Sequence, residues 1–274
     1  MVTGRGLLES PRWHDGRLYF SDWSAHEVLA LGADGACDIV AQVESLPLCM
    51  DFRPDGRMLI LSVVDELLLQ LEPDGSLTTS ADLAGVARGW NDIVVDGRGN
   101  AYLNGAGFNP MTGEPPAPGH VTLVTPDGVA CKVGDGLSFP NGMAVTADNT
   151  TLIVAESYAK RLTAFDIAAD GSLSNQRVWA DLGDGVPDGI CIDAENAVWF
   201  ADVPNKRCSR VSEGGEVRQT VTLDRGGFAC MLGGPERTTL FVVGAEWRGM
   251  KEMVAPGSGR VYATEVTVPG AGWP

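Results

Sequence analysis

Asp15-Gly16-Arg17-Leu18-Tyr19-Phe20 joins a tight-turn dipeptide to a short apolar run of β-forming residues, and the construction recurs along the chain. Met58-Leu59-Ile60 follows Asp55-Gly56, Ala101-Tyr102-Leu103 follows Asp96-Gly97, and Leu152-Ile153-Val154 follows Asp148-Asn149. Val198-Trp199-Phe200 and Leu240-Phe241-Val242 bring the copies to six. A second set of turns, Asp34-Gly35, Asp74-Gly75, Asp127-Gly128, Asp170-Gly171 and Gly214-Gly215, falls between them. Each first-set turn is preceded by another strand-like segment, such as Ile93-Val94-Val95 or Ile190-Cys191-Ile192. A third, such as Glu27-Val28-Leu29-Ala30-Leu31, lies between the two turns, and a fourth follows the second.

Each unit therefore reads as a four-stranded meander. Six units of roughly 45 residues use up the 274 residues, and this period with four strands per unit is the signature of a β-propeller. The expected fold is all-β: one six-bladed β-propeller domain over residues 1–274, its antiparallel blades set around a central channel. A sandwich would not require one unit to recur six times. No long stretch repeats its apolar residues every 3.6 positions, so helix should be nearly absent. Residues 105–119 and 244–259, dense in Gly and Pro, interrupt the third and sixth units and read as loops.

The charge balance excludes whole classes of partner. With 36 acidic and 20 basic side chains the formal net charge is −16, and the basic residues form no run of even three, so neither nucleic acid nor an anionic membrane finds a surface here. At 44% apolar residues the chain can bury a sizeable core, while no apolar run approaches the ~18 residues of a membrane helix. The first residues carry no secretory pattern, and the six cysteines are irregularly spaced without C-x-x-C. They read as reduced, buried thiols of a cytoplasmic protein.

Aligning the units places Glu9, Leu48, Asn91, Asn141, Asp188 and Ala229 at one end of the six innermost strands, at spacings of 39, 43, 50, 47 and 41. Innermost strands surround the axis, so these positions should form a ring. Four of the six offer oxygen, as two carboxylates and two amides, with no Cys or His. That is a donor set for a hard divalent cation such as calcium or magnesium. Asn and Asp at such places more often make turn hydrogen bonds, but turns do not require symmetry-equivalent positions, nor do they explain Glu9. H-E-x-x-H, G-x-S-x-G, P-loop and Rossmann patterns are absent. His14 and His26 read as surface residues, whereas His120 closes a loop that can cover the channel. Asp22, Glu156 and Asp202 recur after the second strand of units 1, 4 and 5 as blade-edge hydrogen-bonding groups.

Leu8-Glu9-Ser10-Pro11-Arg12-Trp13, Trp90-Asn91-Asp92-Ile93-Val94-Val95-Asp96, Phe139-Pro140-Asn141-Gly142-Met143 and Pro187-Asp188-Gly189-Ile190-Cys191-Ile192-Asp193 resemble, in order and at blade spacing, the four metal-site motifs of the regucalcin (senescence marker protein) and gluconolactonase family. Cys230-Met231-Leu232-Gly233-Gly234 and the closing Val268-Pro269-Gly270-Ala271-Gly272 extend the resemblance over the whole chain. It implies one divalent cation in the channel, calcium first, with magnesium, manganese or zinc as alternatives. The residues matching Glu9, Asn141 and Asp188 would hold it, and Asn91 would contact metal or substrate. It also implies hydrolysis of sugar lactones; related propellers open other lactones or cleave organophosphates. Asp188 is then the candidate catalytic proton acceptor, and Arg88, Glu114 and His120 are candidate substrate contacts.

The pattern departs from the family where substrate is chosen. The family's Arg two residues before the third-unit Asn is Gly89 here, with Arg88 one place earlier, and its sugar-binding Glu aligns near Pro115, beside Glu114. The competing expectation is a non-catalytic propeller in which a metal closes the channel and one face binds a protein or small molecule. Propeller enzymes like strictosidine synthase lack the acidic metal set.

Overall fold

The computed structural model describes residues 2–249, 252 and 257–272. Six four-stranded antiparallel sheets form the blades of a β-propeller, and a 3-10 turn, Pro110–Thr112, interrupts the third blade. The innermost strands are Leu8–His14, Leu48–Phe52, Trp90–Val95, Pro140–Val145, Pro187–Ile192 and Gly226–Gly233. Five blades are consecutive meanders. The sixth takes its outermost strand, Thr3–Arg5, from the start of the chain, pairing it with Gly259–Glu265. No sequence repeat signals that strand, because three residues are too few to carry a pattern.

Among the first-set turns, Asp15-Gly16 behaves as its composition requires, while in the Asp96-Gly97 turn the left-handed residue is Gly99. Asp15 and Gly16 both adopt positive φ, 45° and 75°, the geometry of a two-residue hairpin turn that suits the twist of its strands. Alternation along each strand then puts apolar side chains on both blade faces, and the core is made of the layers between neighbouring blades. Trp199, Tyr102 and Phe20 are fully buried in these layers. Trp13 of blade 1 stacks on Phe241 of blade 6, centroids 5.6 Å apart, where the ring closes.

The dipeptides Asn141-Gly142 and Asp188-Gly189 lie within strands. Gly142 and Gly189 lie within innermost strands, where those of blades 4, 5 and 6 come too close for a side chain. A Cβ on Gly142 would meet the Ile190 amide nitrogen at 2.5 Å, and one on Gly189 would meet the Ala229 Cβ at 2.2 Å. Gly142→Ala is therefore expected to destabilise the protein by about 1–3 kcal/mol through overpacking. Thermal denaturation checks it; an unchanged Tm would mean that the inner strands can move apart freely.

Candidate metal centre at the channel mouth

Five of the six blades break register where their innermost strands begin. Pairing shifts by one residue between Glu9 and Arg12, Trp90 and Ile93, Pro140 and Met143, Pro187 and Ile190, and Gly227 and Ala229. Such a bulge sets two residues against one, interrupts the in/out alternation and re-aims a side chain. Blade 2 pairs regularly, with Leu48 opposite Ser62 and Cys49 opposite Leu61. Its channel residue is accordingly Cys49, while Leu48 is fully buried between blades. This corrects the ring position read from the repeat, since without a bulge the side chain one place along faces inward.

The pocket at this mouth is lined by Glu9, Asn91 and Asn141 together with Ser10, Arg12, Asp92, Trp23 and Cys49. Asn91 Nδ2 donates to Asn141 Oδ1 and to the Pro140 carbonyl, both at 3.2 Å, leaving the Asn91 carbonyl oxygen unengaged by these bonds. The Asn141 side chain favours the charged form of Asp188. Burial pushes the Glu9 carboxyl up to about 8, with the Asp92 charge adding to the rise against a Ser10 N–H and Arg12. Asp188 is driven well above the usual carboxylate range by burial, then by the charges of Glu9 and Asp92. Two buried carboxyls that repel each other form a site which a divalent charge would neutralise.

Among the described residues no three His, Cys, Asp or Glu side chains are grouped so as to hold a metal by themselves. A metal here needs the amide oxygens of Asn91 and Asn141 beside the two carboxylates, an oxygen-only set that fits a hard cation.

Sequence reading missed the layer beneath. Arg12 lies across the channel, its Nε 3.2 Å from Asp51 Oδ1 and one terminal nitrogen donating at 2.6 Å to the Ile93 carbonyl. Asp92, 3.9 Å from Arg12, keeps Oδ1 buried without a hydrogen-bond partner. Asn91 and Asp92 both line the pocket because of the bulge, and strict alternation would have sent Asp92 the other way. Ser10, beside Glu9, has φ 48°, a left-handed conformation uncommon for a non-glycine residue and one that collects at functional sites.

The candidate substrate contacts are arranged differently from expectation. Arg88 and Glu114 bind each other across the third-blade loop, and Glu114 also accepts from the Asn109 N–H at 3.0 Å. His120 is buried within the strand Gly119–Val124, with Nε2 3.0 Å from the Arg88 carbonyl and its ring edge-on to Trp90. It anchors the turn that carries Arg88, and burial lowers its pKa first of all. Of the 244–259 stretch, residues 250, 251 and 253–256 lie outside the described residues.

Asp22, Glu156 and Asp202 are buried and tie the turn after the second strand to its surroundings. Asp22 accepts from the Ser24 N–H, Glu156 from Ser138 N–H and Arg161, and Asp202 from Asn205 and Arg207. Among the cysteines, 49, 191, 208 and 230 are buried, but Cys131 is exposed and Cys37 partly so.

Residues 7–246 match the family described as the SMP-30/Gluconolactonase/LRE-like region. The chain belongs to this family. Regucalcin of Xenopus laevis is 31% identical over 156 residues, covering 53% of this chain and 50% of that protein. Pentonolactonase XacC of Haloferax volcanii is 26% identical over 207 residues, covering 73% of this chain and 67% of that protein. The match thus spans half the length of one relative and about two thirds of the other. The calcium-binding protein regucalcin of Agrobacterium tumefaciens has the same fold, with a TM-score of 0.81 at 22% identity, covering 98% of this chain and 92% of that one. The family includes propellers named as lactonases. No helix among the described residues is long and apolar enough to cross a membrane.

Proposed function

We propose that the chain is a divalent-metal-dependent lactonase, with Glu9, Asn141, Asp188 and Asn91 as its metal set. The observation that supports the reading is the bulge shared by four innermost strands at Glu9, Asn91, Asn141 and Asp188, the first three of which line one pocket whose wall continues through Gly189, the neighbour of Asp188. Kinship with a pentonolactonase and with regucalcins supports a lactone substrate and calcium as the first cation to try.

When bound, a divalent cation would polarise the lactone carbonyl and make a neighbouring water more acidic. Asp188, ionised when the set holds its cation, accepts the proton of the attacking water. The water oxygen adds to the carbonyl carbon, the ring C–O bond breaks, and the ring oxygen leaves with a proton returned from Asp188. Glu9 supplies fixed negative charge. Asn91, pinned through its Nδ2 to Asn141 and Pro140, keeps its side-chain oxygen free for metal or substrate.

The test is to strip the protein with chelator, restore calcium, magnesium, manganese or zinc singly, and assay sugar and aliphatic lactones with spontaneous hydrolysis subtracted. Chelation is expected to remove turnover and one of these ions to restore it. Undiminished activity in chelator would exclude the metal, and no activity with any ion would exclude the lactonase.

A further inference from the structure

Beside the strand ends that carry Asn141 and Asp188, outside the pocket lining itself, is an aromatic cluster that the hydrolytic chemistry does not use. Phe139 and Tyr158 stack with ring centroids 4.5 Å apart and planes 15° from parallel, and Phe108 lies 5.8 Å from Phe139. The cluster is bound to the metal set through short links. Phe139 precedes Asn141 by two residues. Tyr158 follows Ser157, whose hydroxyl donates at 2.7 Å to the carbonyl of Pro187, the neighbour of Asp188. Asn141 Nδ2 also reaches that hydroxyl, at 3.4 Å.

This stack is held in place at some cost. Phe139 has φ 56°, an outlier for a bulky side chain, fixed by Ser157 N–H to the Phe139 carbonyl at 3.1 Å and Tyr158 N–H to the Ser138 carbonyl at 3.3 Å. Tyr158 nevertheless remains 54% exposed. One face of its ring lies on Phe139, so the exposure is that of an oriented, immobilised aromatic surface.

Four arginines around the same blades are already engaged. Arg88 is held by Glu114, Arg161 by Glu156, Arg207 by Asp184 and Arg225 by Asp224. Discriminating a polyhydroxylated ring requires free, directed hydrogen-bonding groups, whereas a planar aromatic ring requires a ring face at stacking distance.

Resting on the lactonase reading above, we propose that the substrate is a lactone bearing a planar aromatic ring, which lies on Tyr158 while its carbonyl reaches the oxygen-lined pocket. The alternative occupant, an aromatic side chain of a protein partner, would leave the lactone preferences below unchanged by Tyr158.

The test has a kinetic and a binding arm. In the first, 3,4-dihydrocoumarin, δ-valerolactone and D-glucono-1,5-lactone are compared at saturating metal in the wild type, Tyr158→Ala and Phe139→Leu. Tyr158→Ala is expected to lower the dihydrocoumarin/valerolactone ratio of kcat/KM by about tenfold, with a smaller fall for Phe139→Leu. Comparing ratios between variants cancels the greater intrinsic reactivity of the aryl ester. In the second arm, calorimetry compares 3,4-dihydro-2(1H)-quinolinone, the lactam counterpart, with δ-valerolactam. The wild type should bind the fused lactam about tenfold more tightly and Tyr158→Ala should bind the two alike.

If no lactone is opened with any ion, the lactonase reading fails alone and the lactam affinities decide the aromatic platform. Equal affinities, no binding of either lactam, or a preference that survives Tyr158→Ala would overturn the inference.

Discussion

Asp188→Asn is expected to lower kcat/KM for every lactone the protein opens by well over ~10²-fold, the loss typical of removing a catalytic proton acceptor. The excess arises because the substitution also removes one of two ligand charges, so metal occupancy should fall with it. These contributions separate experimentally. Raising the metal concentration until calorimetry shows full occupancy should recover the part due to weakened binding and leave the part due to the missing base. Asp92→Asn is the informative control, because Asp92 is also buried, lies near the same carboxyls and faces Arg12. A loss confined to Asp92→Asn, with Asp188→Asn turning over normally once metal is bound, would move the proton acceptor to Asp92.

Much of the architecture is legible in the sequence, because a propeller repeats one short unit and each copy independently reports its turns. Six copies of the short apolar strand, four of them behind a named turn dipeptide, show the blade number even though single turns vary, as Asp148-Asn149 does. The closing strand Thr3–Arg5 escapes the reading because it belongs to the repeat at the other end of the chain. In the candidate site, Glu9, Asn91, Asn141 and Asp188 emerge as symmetry equivalents, since each begins an innermost strand at blade spacing. Their neighbours do not. Whether Leu48 or Cys49 faces the channel, and whether Asp92 accompanies Asn91, depends on a one-residue bulge that backbone pairing decides and composition does not encode. Likewise, nothing local in the sequence marks Gly142 and Gly189 as places where neighbouring strands leave no space for a Cβ. Sequence reading offers Arg88, Glu114 and His120 as substrate contacts, but their contacts with one another arise from how a proline-rich loop folds back. Such long-range pairing has no local signature.

The second large effect concerns stability without metal. Glu9 in the folded chain holds its proton up to about pH 8, whereas the unfolded chain releases it near the ordinary value of 4.5. Between these values the folded state binds more protons, so metal-free stability is fully present below about pH 4.5 and is lost as pH rises toward 8. At about 1.4 kcal/mol for each factor of ten in proton affinity, Glu9 contributes a loss on the order of 4–5 kcal/mol. Asp188, raised for the same reasons, acts in the same direction. For a protein of this size that is about 10 °C or more in Tm. The metal-free protein should therefore melt at a lower temperature at pH 8 than at pH 5, and Glu9→Gln, which has no charge to expose, should flatten the dependence. Saturating divalent cation should reverse it, because a cation competes with protons for the same oxygens and binds best when both carboxyls are ionised. Differential scanning calorimetry across pH 5–8 with chelator, and again with the ion that restores activity, measures both slopes. A metal-free Tm that stays level or climbs with pH would show Glu9 ionised in the empty pocket, with Arg12 as sufficient counter-charge and no electrostatic need for a cation.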